Sequence, residues 1–293
     1  MTGNYILITP ARNEEACVEQ PLRSVVAQTI LPKKWVIVSD GSTDRTDDIV
    51  REYAAKYSFI ELVRAGEQGV RNFGSKVAAF NAGYARVAGM EYEFIGNLDA
   101  DVSFVPEYFE TLLSRFSDNQ SLGLGGGIIM EKVGDRFVPQ TISTNSVAGA
   151  VQLFRRRCFE DFGGYIPLKA GGIDSAAEIM ARMHGWNVQT FADLEVLHHR
   201  RVSIGKGKMW TTHFQKGKND YQLGYHPLFE AMRCSYRAVD KPYLIGGLTT
   251  FTGYAWAWMR GYKFQLPGDV VQFLRTEQIT RLKSSLRKTA QPA

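Results

Sequence analysis

Cysteine is scarce in this sequence. Cys17, Cys158 and Cys234 are its only three in 293 residues, they lie far apart, and none belongs to a CxxC pair. That pattern excludes a disulfide framework and a zinc knuckle, and it suits a reducing compartment. The opening Met1-Thr2-Gly3-Asn4 carries no basic segment or long apolar run ahead of the first strand pattern, so no secretory signal is expected. Long uncharged apolar runs are missing too. Tyr243–Phe264 comes nearest, but Thr249, Thr250, Thr252 and four glycines interrupt it, which argues against a transmembrane helix. Its aromatics, flanked by Lys241, Arg260 and Lys263, fit a helix lying in a membrane interface or one packed on the rest of the protein.

Acid is scarce in one third of the chain. Residues 198–293 hold 16 Lys+Arg against 5 Asp+Glu, a net +11, whereas residues 1–197 hold 19 against 25, a net −6. The overall +5 therefore conceals a basic end suited to an anionic surface, lipid above all. Arg275, Arg281, Lys283, Arg287 and Lys288 continue that bias. Six basic residues and no acid fall between 198 and 218 (Arg200, Arg201, Lys206, Lys208, Lys216, Lys218), with Gly205 and Gly207 among them. This stretch reads as a flap that orders over a diphosphate, or as a flexible solvated loop. No RRM, KH or helix-turn-helix signature accompanies the charge, so no nucleic-acid partner is expected. An apolar fraction of 44% excludes general disorder.

What is present is an alternation of strands and helices. Tyr5–Thr9, Trp35–Ser39, Ile60–Arg64 and Glu93–Leu98 are β-rich runs. Helical spacing follows at Val18, Leu22, Val25 and Val26, from about Thr46, and over Lys76–Ala88. Short connections between such elements predict a mainly parallel sheet flanked by helices, with ligands at the C-terminal strand ends. Pro10–Asn13, Asp40 and Asp99–Asp101 all fall there. Gly123–Met130 predicts a further strand, and Phe159–Gly185 a glycine-punctuated loop followed by a helix. From about residue 200 no strand pattern remains, which divides the chain into 1–200 and a helical, basic extension over 201–293.

Three local patterns carry chemistry. Asp99-Ala100-Asp101 offers two carboxylates just past a strand. Both can reach Mg²⁺ or Mn²⁺, whose shell phosphates and water complete. The same triplet also makes an ordinary turn with two solvated acids. Asp40, in Val38-Ser39-Asp40-Gly41-Ser42-Thr43-Asp44, can accept an imide N–H from a base or cap the following helix, a task that Ser42 or Asp44 can also perform. Lys76, among the small residues Gly74–Gly83, can grip phosphate near a helix start or lie in solvent.

In this order the segments resemble the family-2 glycosyltransferases, inverting enzymes of the GT-A fold. The resemblance runs from Leu7-Ile8-Thr9-Pro10-Ala11-Arg12-Asn13-Glu14-Glu15 through Ser24 to Gln28, Val38–Asp44 with Thr46, Lys76–Gly83 and Asp99–Asp101. It continues to Phe154-Arg155-Arg156, Gly163-Gly164-Tyr165 and Gly171–Trp186, covering roughly residues 4–200. It implies a metal-dependent enzyme that moves a sugar from a nucleotide-sugar donor, UDP-sugar favoured, to a saccharide or lipid-linked acceptor. It also implies that Thr9, Pro10, Arg12 and Glu14 line the nucleoside pocket, that Asp40 binds the base and that Lys76 lies beside base or phosphates. Asp99 would contact the ribose or the metal, and Asp101 would ligate the metal. Where the family often has an aromatic residue, this chain has Arg12, whose planar guanidinium can also stack on a base.

Many members carry a Glu-Asp pair about eleven residues before a Gly-aromatic pair. Here Gly185-Trp186 is preceded by Ile173-Asp174, which keeps the Asp alone. An inverting transfer needs a carboxylate to deprotonate the acceptor hydroxyl. Asp174 is the candidate base, and Glu178, one turn on, either supports or replaces it. In several GT-A enzymes a histidine from the region of His198-His199 completes the metal shell, and on a strand only one of two neighbours can face it. A nucleotidyltransferase is the alternative. It favours a Gly-rich loop with a lysine after the first strand, where this chain reads Pro10-Ala11-Arg12-Asn13-Glu14. A cytoplasmic enzyme, peripheral at the inner face of the cell membrane, is the expected setting.

Overall fold

A computed structural model describes residues 3–65, 73–140, 143–168, 170–200, 206–236 and 245–289. The chain forms two units, Met1–Lys169 with Ile173–Val202, and Ala170–Gly172 with Ser203–Ala293. In the first unit the order is β1 (Tyr5–Ala11), α1 (Glu19–Val26), β2 (Lys34–Asp40), α2 (Thr46–Ala54), β3 (Ile60–Ala65), α3 (Phe73–Val87), β4 (Phe94–Leu98) and β5 (Val102–Ser103). It continues with α4 (Tyr108–Asp118), β6 (Leu122–Val133), β7 (Arg136–Pro139), β8 (Val151–Arg155), α5 (Arg156–Asp161), α6 (Ile173–Met183) and β9 (Asn187–His198). Helices α7 (Lys206–Gln222), α8 (Pro227–Tyr236), α9 (Ile245–Met259) and α10 (Gly268–Thr289) belong to the second unit.

Among the described residues nine strands form one sheet, ordered β3-β2-β1-β4-β8-β6-β9-β5, with β7 paired to β6. The parallel pairing expected from strand–helix alternation holds from β3 through β4. Strand β8 then enters antiparallel to both β4 and β6, while β6 and β9 run parallel. The sheet is therefore mixed beyond β4. Its inner strands read as continuous apolar runs because both faces are covered. Side chains alternate between the faces. Tyr5, Leu7, Trp35 and Ile37 pack with Leu22, Val50 and Phe109 on one side. Ile6, Ile8, Val36 and Val38 pack with Val77, Phe80 and Phe159 on the other.

Register aligns the functional edge. Ala11 lies opposite Ser39 and Ile8 opposite Asn97, so β1, β2 and β4 all end on the same side of the sheet. Helix α3 closes on these strands at Gly83, where a Cβ would sit 2.7 Å from the Ile8 side chain. Glycine thus seats the helix that carries Lys76.

Part of the stretch 198–218, expected as a flap or loop, is helical. Arg200 follows the end of β9, Arg201 and Gly205 lie outside the described residues, and α7 begins at Lys206. The reason for order is backbone-to-backbone packing on α9. A Cβ on Gly217 would lie 1.8 Å from the Thr250 carbonyl oxygen, and one on Gly253 would lie 2.0 Å from that of Phe214. Only glycine permits so close an approach. Within the candidate interface segment, Tyr243 and Leu244 lie outside the described residues, and α9 begins at Ile245. The 15 residues of α9 extend about 22 Å at 1.5 Å each. No described helix is long and apolar enough to cross a membrane.

Candidate active site

A cleft of ≈ 410 Å³ opens at the C-terminal edge of β1, β2 and β4, lined by Pro10, Ala11, Arg12, Glu14, Asp40, Ser75, Lys76, Ala79, Asp99, Ala100, Asp101 and Arg200. Its size suits a nucleotide-sized ligand. The loops after β1 and β2 are stitched together before any ligand is considered. Asn13 adopts φ 55° and accepts the Thr43 amide (2.8 Å), while its own amide donates to Ser42 Oγ (3.2 Å). The Glu14 amide donates to Thr46 Oγ1 (2.7 Å), and the Thr46 amide donates to Asp44 Oδ1 (3.0 Å). Ser42 and Asp44 thus take the local capping and turn bonds. Asp40 is left to face the cleft, with Arg12 Nη1 3.6 Å away.

Of the sequence-derived nucleotide set, Pro10, Arg12, Glu14, Asp40, Lys76 and Asp99 meet on the cleft wall, and Thr9 does not. Thr9 is fully buried, and its hydroxyl accepts the Trp35 indole N–H at 2.9 Å. That position on β1 points into the apolar layer, where the hydroxyl is engaged in a core hydrogen bond.

Lys76 Nζ lies 2.6 Å from Asp99 Oδ1. Burial pulls its pKa down, but Asp99, with the charges of Asp174 and Asp101, overcomes this and leaves it above the ordinary value. Asp101 is buried. Desolvation opposes its charge, yet His198, Arg200 and Lys76 together hold its carboxyl below the usual range. His198 Nε2 stands 3.3 Å from Asp101 Oδ2, and this contact raises the imidazole pKa against the effect of burial. His199 turns the other way, its Nε2 2.7 Å from Ser103 Oγ and its ring against Phe137. Period-two alternation at the end of β9 separates the two histidines, and it brings Arg200 back to the side of His198. Arg200 Nε lies 2.9 Å from Asp101 Oδ2, and its Nη2 donates to Glu14 Oε1.

The residues fit a divalent cation in one specific respect. Asp101 Oδ1 is buried with no hydrogen-bond partner among the described residues. Among the described residues no three His, Cys, Asp or Glu side chains cluster as a ready metal cage. That matches an ion held by one or two carboxylates and completed by phosphate and water.

Asp174 stands in the first turn of α6, outside the cleft lining but near enough for its charge to act on Lys76. Its carboxylate rests against Gly149, where a Cβ would meet Oδ2 at 3.1 Å, and Asn97 Nδ2 holds the Gly149 carbonyl at 2.5 Å. Glu178 is buried and committed inward. It accepts the Val147 amide (2.8 Å) and the Ser146 hydroxyl (3.0 Å). Burial and the neighbouring Asp174 push its pKa up to about 8. Sequence reasoning missed Arg200, which it assigned to a flap. The signal for it was its place two residues beyond His198.

The profile of Glycosyl transferase family 2 matches residues 6–176, more than half of the chain. The chain belongs to that family. It is 27% identical over 233 residues to the glycosyltransferase AglE of Haloferax volcanii, a match covering 74% of this chain and 73% of that one. It is 36% identical over 86 residues to the probable glycosyltransferase YdaM of Bacillus subtilis, covering 28% of this chain but only 20% of the relative's length. Two solved structures share the GT-A fold. The mannosyltransferase PcManGT of Pyrobaculum calidifontis, in complex with GDP-Man and Mn²⁺, aligns with TM-score 0.57 at 16% identity, over 98% of this chain and 83% of that one. TarS 1-349 of S. aureus, in complex with UDP-GlcNAc, aligns with TM-score 0.55 at 14% identity, over 92% and 78%.

Proposed function

We propose that this enzyme transfers a sugar, with inversion, from a nucleotide-diphosphate donor to a saccharide or lipid-linked acceptor in cell-surface polysaccharide or glycan biosynthesis. The observation that carries the reading is the cleft itself. Asp40, Lys76, Asp99 and Asp101 converge on one strand edge, with Asp101 Oδ1 awaiting a partner. Asp40 accepts the imide-type N–H of the base, uracil favoured, and Arg12 stacks or pairs beside it. The solved structures that share the fold were captured with GDP-Man and UDP-GlcNAc, which supports a nucleotide-sugar donor. A polysaccharide product is supported by 28% identity, over 48% of the chain, to the poly-beta-1,6-N-acetyl-D-glucosamine synthase of Staphylococcus epidermidis.

Asp101, with Asp99 and His198, would hold Mg²⁺ or Mn²⁺. Once bound, the ion supplies positive charge against the leaving diphosphate. Lys76 adds a fixed cation on the same side. Asp174 accepts the acceptor hydroxyl proton as that oxygen bonds to C1 of the sugar and the C1–O bond to the diphosphate breaks on the opposite face. Glu178, its pKa raised by burial and by Asp174 and its carboxyl hydrogen-bonded inward, supports the α6 turn rather than serving as base.

The second unit docks the enzyme peripherally on an anionic membrane. Leu248, Phe251, Ala255, Trp258 and Tyr262 recur at helical spacing in and just beyond α9. Four of them are exposed large apolar residues, and Arg260 and Lys263 lie at their end. Aromatic residues beside basic ones suit the interface of an anionic leaflet.

The test is a panel of UDP-, GDP- and dTDP-sugars scored by thermal shift with Mn²⁺ and with EDTA, since a ligand bound only by the folded state raises Tm. One nucleotide-sugar should shift Tm in Mn²⁺ and lose that shift in EDTA. No shift from any member, or shifts indifferent to EDTA, would overturn the metal-dependent donor site.

A further inference from the structure

Arg200 bridges two carboxylates that come from different loops. Glu14 lies past β1 and Asp101 past β4, and the guanidinium bonds to both. On Asp101 it shares Oδ2 with His198, while Oδ1 of the same carboxylate has no partner among the described residues. A divalent cation on Asp101 would therefore meet an Arg⁺ within contact distance of its own ligand. Like charges so near disfavour each other, strongly so where solvent is partly excluded. The Arg200 side chain is 46% exposed, so no packing locks it to Asp101, and the cleft it lines is where Lys76 would meet phosphate. A guanidinium is also the cation best shaped to take two phosphate oxygens at once.

We propose that Arg200 competes with the divalent cation for Asp101 and, once displaced, binds the diphosphate of the sugar donor. This deepens, and rests on, the reading of the cleft as a metal and diphosphate site. Metal and nucleotide are then linked through one side chain. The metal releases Arg200, and the diphosphate receives it. Coupling of this kind is reciprocal, so each ligand strengthens the other by the same factor.

The experiment is calorimetric titration of the whole chain with Mn²⁺ alone, with UDP or GDP alone, and with the nucleotide at saturating Mn²⁺, for wild type, Arg200→Gln and Arg200→Lys. Arg200→Gln should bind Mn²⁺ alone more tightly than wild type, and the nucleotide in saturating Mn²⁺ more weakly, each on the order of tenfold. Arg200→Lys keeps the charge without the fork and should fall between. Mn²⁺ affinity that Arg200→Gln leaves unchanged or weakens overturns the competition. Nucleotide affinity that it leaves unchanged overturns the hand-over. If wild type and both variants take neither Mn²⁺ nor nucleotide while still melting cooperatively, the underlying site reading falls instead.

Discussion

In the first unit, buried charge gathers at one edge of a sheet, whereas in the second it is sealed between helices. Arg12–Asp40, Lys76–Asp99 and Arg200–Asp101 line a cleft, each pair within reach of a ligand that can take over one partner. In the helical unit Arg233 is clasped by Asp220 and by Glu230 (2.6 Å) and lies over the Tyr225 ring. Burial pushes the Asp220 carboxyl up to about 6. Two of the five acids of the basic end are thereby withdrawn from the surface, which sharpens its positive sign. The same kind of pair stays open to exchange where it lines a cleft and is architectural where it is sealed. Damage to the first unit should therefore appear in rate, and damage to the second in stability or docking.

The largest effect is expected at Asp174. Removing a general base costs about 10²–10⁴-fold in rate. Asp174→Asn should reduce transfer by that order while leaving sugar-donor affinity near wild type, because Asp40, Lys76 and the Asp99–Asp101 pair are untouched. The product anomer should be inverted. Near-normal turnover in Asp174→Asn, with loss in Glu178→Gln, would move the base to Glu178. A retained anomer would end the single-displacement mechanism altogether.

Next in size is the joint between α7 and α9. Gly217→Val drives a side chain into the Thr250 carbonyl oxygen, so the helices must part. Overpacking typically costs about 1–3 kcal/mol, and more when rigid backbone is the obstacle. Chemical denaturation should show the loss, with the sugar-donor affinity of the protein that remains folded unchanged. A variant as stable as wild type would refute the backbone contact.

A comparable, pH-dependent effect belongs to Glu178. Its pKa rises from 4.5 to about 8 on folding. Between those values the folded protein keeps a proton that the unfolded chain has lost, so stability falls as pH rises through the window and levels off above it. Glu178→Gln keeps an acceptor for Val147 and Ser146 and abolishes the titration. Roughly three pH units of differential protonation amount to about 4 kcal/mol. Its Tm relative to wild type should therefore rise by about ten degrees from pH 5 to pH 9, since ~1 kcal/mol moves Tm by about 2–4 °C in a domain of this size. A Tm difference flat across that range would show that Glu178 titrates normally.

How far the sequence disclosed this design depends on how local each signal was. Strands β1, β2 and β4 were legible because burial on both faces leaves unbroken apolar runs, and the carboxylates just past them marked the edge where the cleft opens. His198 and His199 were legible as a pair. Choosing between them needed the orientation of β9, which rests on pairing with β5 and β6. Arg200 was hidden because its partner Glu14 is 186 positions away. The antiparallel entry of β8 has no local mark, since strand direction is set by the chain's route and not by composition. The inward face of Thr9 was not legible, because family order identifies a position without saying to which face its side chain points. The α7–α9 joint was invisible because Gly217 and Gly253 acquire meaning only opposite one another.

The smallest effect on the isolated enzyme should come from the exposed apolar residues of α9. Leu248 and Trp258 are each 67% exposed, so they contribute little to folding. Leu248→Ser with Trp258→Ser should leave Tm and transfer between soluble substrates nearly unchanged. On a membrane the same pair should matter, because burying such a side chain is worth about 1.5–3 kcal/mol each. Binding to vesicles rich in anionic lipid should weaken by tenfold or more, since about 1.4 kcal/mol is a factor of ten. Wild-type binding should also decline with added salt, as surface charges are screened within roughly 8 Å at physiological ionic strength. Equal partition onto neutral and anionic vesicles would remove the basic residues from the docking surface and leave the apolar stripe alone. No binding to either would mean that the stripe meets something other than lipid, and that the positive sign of the second unit serves an anionic partner in solution.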